Sequence, residues 1–168
     1  MPRPFILWPD PRLSAAALPV GAVTDEIRTI WDEMLEAMYE MPGVGLAAPQ
    51  LGIGLRLAVV DAGDGAPAVR LANPRVVWAA DTTRSHPEAS PNLPGLSAEI
   101  VRPDPVCVAY LDETGSAVER EFAGLWATSA QHQIDHLDGK LFIDRLSRMR
   151  RTRLLDRHRK TLKQRKRG

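Results

Sequence analysis

Apolar residues recur with helical periodicity in three parts of the chain. The first part has Thr24 or Asp25 as a candidate N-cap and Pro42-Gly43 as the stop signal. Its apolar positions are Ile27, Ile30, Trp31, Met34, Leu35 and Met38. Residues 125–137 predict a second helix and residues 146–167 predict a third. The third is sparse in apolar positions, which are Met149, Leu154, Leu155 and Leu162.

Residues that favour strands occupy the chain between the first two helices. The predicted strands cover residues 56–61, 69–80 (one or two strands, broken at Asn73-Pro74), 100–111 and 117–123. Residues 81–96 are rich in Pro, Ser and Asn, which predicts an irregular segment. Strands gathered before one packed helix indicate an α+β architecture.

Length and composition indicate the number of domains and the cellular location of the protein. The 168 residues suffice for one domain, and 44% of them are hydrophobic, which is ordinary for a globular protein. No apolar run is long enough to cross a membrane, and the N-terminal residues lack the pattern of a signal peptide. The only cysteine, Cys107, reads as a buried strand residue and allows no intrachain disulfide. We therefore expect a single-domain cytoplasmic protein with no membrane partner.

Charge divides the chain into two parts. Residues 148–168 contain 11 of the 22 Lys and Arg residues but only one of the 21 acidic residues, Asp156, so their net charge is +10. Residues 1–147 carry −9. We expect an acidic domain over residues 1–147 and a basic helix or tail over residues 148–168. Contact with RNA or the ribosome is one interpretation of the tail. A solvated helix, or one docked on the acidic domain, is the other.

The second predicted helix contains the sequence His132-Gln133-Ile134-Asp135-His136. Histidines at positions i and i+4 lie on one helical face and can bind the same metal ion. In zinc hydrolases with this pattern, the residue after the first histidine is Glu, the general base for the metal-bound water. Gln133 carries no charge at that position and cannot take up the proton.

Three segments together resemble the peptide deformylases, which remove the formyl group from the N-terminal methionine of new bacterial and organellar proteins. Residues 43–50 match the family motif GxGLAAxQ, and residues 131–142 match QHExDHLxGxLF except at Gln133. The motif EGCLSxP falls on residues 88–94, where only Glu88 and Pro94 match. The resemblance implies antiparallel or mixed sheets around a central HxxxH helix, with a helix at the C-terminus. It also implies that Glu88 pairs with Arg102.

The resemblance assigns a role to each site position. In the family, two histidines and a cysteine thiolate hold Fe(II) or Zn(II). A Glu is the base, and a Gln side chain and the N–H after the cysteine stabilise the oxyanion. The corresponding metal-binding positions are His132, His136 and Ser90, and the catalytic positions are Gln133, Gln50 and Pro91. The substrate cleft would contain Val44, Gly45 and Leu46.

The thiolate, the base and one oxyanion donor are therefore all replaced. Serine is a weak ligand for these metals and proline has no N–H, so we expect little or no deformylase activity and, at most, one weakly held Fe(II) or Zn(II). The protein would then bind peptide N-termini. One alternative is a hydrolase whose metal site is rebuilt with His86 or Glu88. Another is a ribosome- or RNA-associated protein without enzymatic activity.

Overall fold

A computed structural model describes residues 3–167, so Met1, Pro2 and Gly168, the last residue of the basic segment, lie outside it. The helices are α1 (Asp25–Glu40), α2 (Leu125–Leu137) and α3 (Arg148–Arg167). The strands are β1 (Gly45–Ala47), β2 (Leu57–Val60), β3 (Val69–Ala79), β4 (Thr83–Ala89), β5 (Ser97–Pro103), β6 (Val106–Leu111) and β7 (Ala117–Phe122). The predicted α+β class is confirmed.

Helix α1 follows the predicted pattern closely. The Thr24 side chain accepts a hydrogen bond from the Ile27 N–H, as an N-cap residue does. The predicted apolar face is buried, and Trp31, Met34 and Met38 are fully inaccessible to solvent. This face packs over β1 and β2, so it holds the first family motif against the sheet.

Five strands form the main sheet in the order β1-β2-β3-β6-β7, and all neighbours pair antiparallel. The predicted break at Asn73-Pro74 is a register shift inside one continuous strand, β3. Asn73 has a φ of 51°, and its side-chain amide bonds both the N–H and the C=O of Val20. These two bonds stabilise the irregularity, so the sheet continues through it.

The remaining strands correct two predictions. Residues 81–96 are not irregular throughout, because β4 occupies Thr83–Ala89 and pairs with β5 over seven residues. Residues 100–111 are not one strand, because the chain leaves the small sheet at Asp104-Pro105 before β6 begins in the main sheet. The small sheet therefore carries the second family motif at the end of β4.

Helix α2 has the predicted bounds, and every residue from Ala127 to Leu137 is buried. It packs against β1 and β2 of the main sheet and also contacts β5 of the small sheet. A helix buried on all sides can present His132 and His136 to an interior site without exposing them to bulk water. The two sheets and α2 thus meet at the three motifs.

Helix α3 docks on the domain through its first half. Leu154 and Leu155 are buried with Leu141, Phe142 and Ile143, so the helix has apolar anchors although its pattern is sparse. No helix within residues 3–167 is both long and apolar enough to span a membrane.

His158 is buried at the same interface of α3. Its ring packs edge-on against Trp8, with 5.8 Å between the ring centres, and the Arg159 guanidinium lies 5.3 Å from the centre of the Trp8 ring. Burial, together with the positive charges of Arg165 and Arg159, lowers the pKa of His158. The docked helix therefore favours the neutral imidazole.

This contact predicts that α3 docks less firmly at low pH. A lowered pKa in the docked state means that the free helix binds the proton better, so docking is weakened as pH falls below the ordinary histidine value of about 6.5. Hydrogen exchange of the α3 amides at about pH 7.5 and about pH 5, corrected for intrinsic rates, measures this. In the variant His158→Leu, the α3 amides should not show this additional increase in exchange at low pH. An equal pH response in both proteins would contradict the prediction.

Candidate active site

The three motifs surround a cleft of about 330 Å³. Val44 and Gly45 line one side, residues 86–91 line the second, and α2 contributes His132 and Gln133. Leu46, predicted as a cleft residue, instead has its side chain in the core beneath α1. The difference follows from the alternation of strand β1, which places neighbouring side chains on opposite faces.

The two histidines converge, as their spacing predicts. Their Nε2 atoms lie 3.1 Å apart, and His132 Nδ1 lies 2.8 Å from an oxygen of Glu88. His136 Nδ1 has no hydrogen-bond partner within residues 3–167. Burial, with the positive charges of His132 and Arg102, lowers the pKa of His136 well below the ordinary histidine value. The inner imidazole is therefore neutral at physiological pH.

A buried salt-bridge network supports His132. Arg102 donates to both carboxylate oxygens of Glu88, at 2.6 and 2.8 Å, which confirms the predicted pair. Its remaining terminal nitrogen donates to Asp135 at 2.9 Å, and Arg145 donates to the same carboxylate. Burial alone would raise the pKa of Glu88, but hydrogen bonds from Arg102 and His132 outweigh it and lower that pKa to about 2. Glu88 is thus a fixed carboxylate.

Ser90 faces a second polar network. Its hydroxyl donates to Asn92 Oδ1 at 2.9 Å and accepts from Gln50 Nε2 at 3.3 Å. Gln50 Nε2 also donates to Asn92 Oδ1 at 2.8 Å, while Gln50 Oε1 accepts from the Ala47 N–H. All three side chains are buried. The hydrogen-bonding capacity of Ser90 is therefore engaged within the protein.

Gln133 lies beneath the rim of the cleft and is 4% exposed. Its Nε2 is 3.5 Å from Ser129 Oγ, and its Oε1 has no partner among the described residues. A Cβ atom at Gly45 would overlap both Ser129 Oγ and Gln133 Nε2, so only glycine permits this packing. The Gln133 amide is thus held by packing in the wall of the cleft.

Comparison with known proteins agrees with this architecture. The family model described as polypeptide deformylase matches residues 2–152. The chain belongs to this family.

Individual relatives match along nearly the whole chain. A peptide deformylase of Methylocella silvestris is 44% identical over 167 residues, which cover 96% of this chain and 85% of the relative. One from Phenylobacterium zucineum is 39% identical, with 96% and 97% covered. The crystal structure of a peptide deformylase from Legionella pneumophila superimposes with a TM-score of 0.89 at 36% identity, and covers 100% of this chain and 99% of that chain.

The residues at the expected deformylase metal site do not fit the family's ion. The two imidazoles converge, but the third position holds the neutral Ser90 hydroxyl, which is bonded to Asn92 and Gln50. Across residues 3–167, no three His, Cys, Asp or Glu side chains are grouped to hold a metal ion. The site thus lacks the third strong ligand that a catalytic zinc or iron centre needs.

The replacements considered from sequence do not complete the site either. Glu88 has both oxygens bonded to Arg102, and one also meets His132. His86 lies on strand β4 and not in a surface loop, and it lines the cleft. Its buried Nδ1 has no partner in the described part of the chain, but it is not grouped with the two imidazoles as a metal site. Cys107 lies on β6, as predicted, but it is only partly buried.

Two residues of this deformylase-family site were not identified from sequence. Asn92 joins Ser90 to Gln50, and Ser129 donates to the Val44 carbonyl at 2.9 Å, which ties α2 to the rim of the cleft. Neither lies in a spacing pattern typical of catalysis. The position of Asn92 within the second motif segment was the only signal for it, and Ser129, outside the motifs, had none.

The salt-bridge network generates a stability prediction. Replacing Arg102 with Met should lower the free energy of unfolding by about 3–5 kcal/mol, because Glu88 and Asp135 would remain buried with fewer partners. Urea denaturation measures the difference. The matched control is Arg3→Met, whose ion pair with Glu33 is about half exposed and should contribute less than about 1 kcal/mol. Equal losses in the two variants would contradict a dominant role for the buried network.

Proposed function

We propose that this family member has little or no deformylase activity and uses its cleft to bind peptide N-termini. The observation that carries the proposal is the hydrogen bonding of Ser90. The Ser90 oxygen accepts from Gln50 Nε2 at 3.3 Å and from the Asn92 backbone N–H at 3.4 Å, so both of its lone pairs are engaged and one of these bonds must break before it can bind a metal ion. Even then it would supply a neutral oxygen in place of an anionic sulfur.

The base position supports the same conclusion. Gln133 lies next to His132 in the cleft, but a carboxamide does not take up a proton near neutral pH. General acid–base catalysis typically contributes a factor of about 10² to 10⁴ in rate. An amide side chain can orient a bound ligand by hydrogen bonding, but it cannot move a proton from water to the leaving amine.

The residues at the oxyanion position independently support the proposal of little or no deformylase activity. Pro91 lines the cleft and offers no N–H, and the Gln50 amide is shared between Asn92 and Ser90. Loss of one oxyanion donor typically costs about 2.7–4 kcal/mol in the transition state. The altered groups thus affect the ligand, the base and the oxyanion together. A cytoplasmic location, where nascent peptides are found, accords with this proposal.

The purified protein should hydrolyse formyl-methionyl peptides with kcat/KM at least about 10³-fold below that of a family member with Cys, Leu and Glu at positions 90, 91 and 133. Steady-state assays with both proteins loaded with Fe(II) or Zn(II) measure the ratio. A difference of less than about tenfold, equal to about 1.4 kcal/mol, would contradict the proposal.

Gln133→Glu serves as the internal control for this measurement. A restored base without a firmly bound metal has no activated water to deprotonate, so this variant should stay within about tenfold of the parent. If it becomes active, another residue already completes a working metal site.

The environment of His86 favours a second candidate function, a hydrolase with a rebuilt metal site. Its Nδ1 is buried without a hydrogen-bond partner among residues 3–167, and the residue lines the same cleft as His132. Metal content of the parent and of His86→Ala separates the two candidates. Stoichiometric metal that is lost in His86→Ala would favour the rebuilt site, whereas substoichiometric metal in both would favour the non-catalytic cleft.

We also propose that α3 contacts RNA or the ribosome. Its basic residues are mostly exposed, and its only acidic residue is Asp156. Because Leu154 and Leu155 fill the core, deletion of the helix would expose apolar surface. A charge-neutralising variant therefore tests the contact more cleanly than a truncation.

The double variant Arg157→Gln/Lys160→Gln should bind RNA more weakly at low salt. Its binding should also depend less on salt, by about 0.7–0.9 in the slope of log K against log salt for each lost phosphate contact. Arg75→Gln/Lys140→Gln removes two exposed charges from the domain and serves as the matched control. Filter binding or ribosome co-sedimentation measures all three proteins. Equal binding by the two variants would contradict a specific role for α3.

A further inference from the structure

Asn92 is the centre of the polar network at Ser90, and it is completely buried. Its Oδ1 accepts from Gln50 Nε2 and from the Ser90 hydroxyl. Its Nδ2 donates to the carbonyls of Ile6 and Gln50. A carboxamide can donate two hydrogen bonds and accept two, and Asn92 makes all four within the protein. It therefore has no hydrogen-bonding position left for a ligand.

The orientation of the Asn92 amide is fixed by its neighbours. The carbonyls of Ile6 and Gln50 can only accept, so the nitrogen must face them. The Asn92 backbone carbonyl also accepts from the Trp8 N–H at 2.9 Å, which holds the N-terminal segment beside it. Turning the side chain over would leave two buried carbonyls opposite an oxygen, at a cost of several broken hydrogen bonds.

This orientation sets what position 90 can contain. Gln50 Nε2 and the Asn92 backbone N–H donate to Ser90 Oγ at 3.3 and 3.4 Å, but the shortest contact of this oxygen, at 2.9 Å, is with Asn92 Oδ1, which accepts a hydrogen bond from a donor at position 90. A hydroxyl or a protonated thiol supplies one. A metal-bound thiolate has no proton to donate, so it would face a negative dipole in a buried environment.

We propose that Asn92 is a positioning residue that selects a neutral hydrogen-bond donor at position 90 and excludes an anionic metal ligand there. In the family motif EGCLSxP, the corresponding residue is serine, whose hydroxyl can rotate and donate to a thiolate. The inference rests on the proposed function, because it explains why the altered cleft lacks its third ligand. It adds that Ser90→Cys by itself does not recreate a metal site.

The experiment compares Ser90→Cys with Ser90→Cys/Asn92→Ser in the full chain. Cobalt(II) is titrated into each apo protein, and the sulfur-to-cobalt charge-transfer absorption reports thiolate coordination directly. The double variant should bind cobalt at least about tenfold more tightly than the single variant, in line with the effect of residues that support metal ligands. It should also show the stronger charge-transfer band.

Ser90→Cys/Asn73→Ser is the matched control. Asn73 likewise anchors an N-terminal segment, through both hydrogen bonds to Val20, but its side chain bonds Val20 and not Ser90. Its loss should lower stability without increasing cobalt affinity. If Asn92→Ser prevents folding, Asn92→Thr offers the same hydroxyl and takes its place.

Equal cobalt affinity and equal absorption in the single and double variants would overturn the inference, whether binding is tight or weak in both. This outcome is distinguishable from failure of the proposed function. That function fails if the unaltered protein deformylates at an ordinary rate, and the cobalt comparison between the two cysteine variants does not measure this rate.

Discussion

The site depends on the buried guanidinium of Arg102. This group lies on β5 of the small sheet, and it joins Glu88 at the end of β4 to Asp135 on α2. Without it, two carboxylates would face each other across the interface between the small sheet and the central helix. Because breaking a buried ion pair is strongly unfavourable, this bridge fixes the distance between the second and third motifs. His132 is then oriented by the same Glu88 carboxylate.

The elements that could be predicted from sequence are those whose environment is uniform along their length. Helices α1 and α2 have a strong apolar period and clear stop signals, and both were predicted within a residue or two. Strand β4 was missed because Pro87 and the neighbouring polar residues suggest a loop. The strand pairs with β5 alone in the small sheet, and an edge strand tolerates proline. Strands β5 and β6 were merged in the prediction because β-branched apolar residues that favour strands lie on both sides of Asp104-Pro105.

The residues of the candidate site likewise fall into those that could be predicted from sequence and those that could not. His132, His136, Gln50 and Glu88 lie in motifs with fixed spacing, so sequence was enough to place them. Asn92 lies in the second motif segment but does not match the motif, and His158 lies in no motif. Their importance comes from partners more than 40 residues distant, such as Gln50 for Asn92 and Trp8 for His158. Long-range hydrogen bonds and ring contacts depend on the folded geometry. A single sequence contains no local signal for them.

The two networks around the cleft explain how the family fold persists with Ser90, Pro91 and Gln133 in the family motifs. Glu88 is paired with Arg102 and His132, and Ser90 is hydrogen-bonded to Asn92 and Gln50, so both of these buried groups have protein partners. A buried group that loses its partner destabilises the fold, but one that exchanges an ionic partner for a complete hydrogen-bond set does not. The framework that shapes the cleft is therefore energetically independent of the reactive groups.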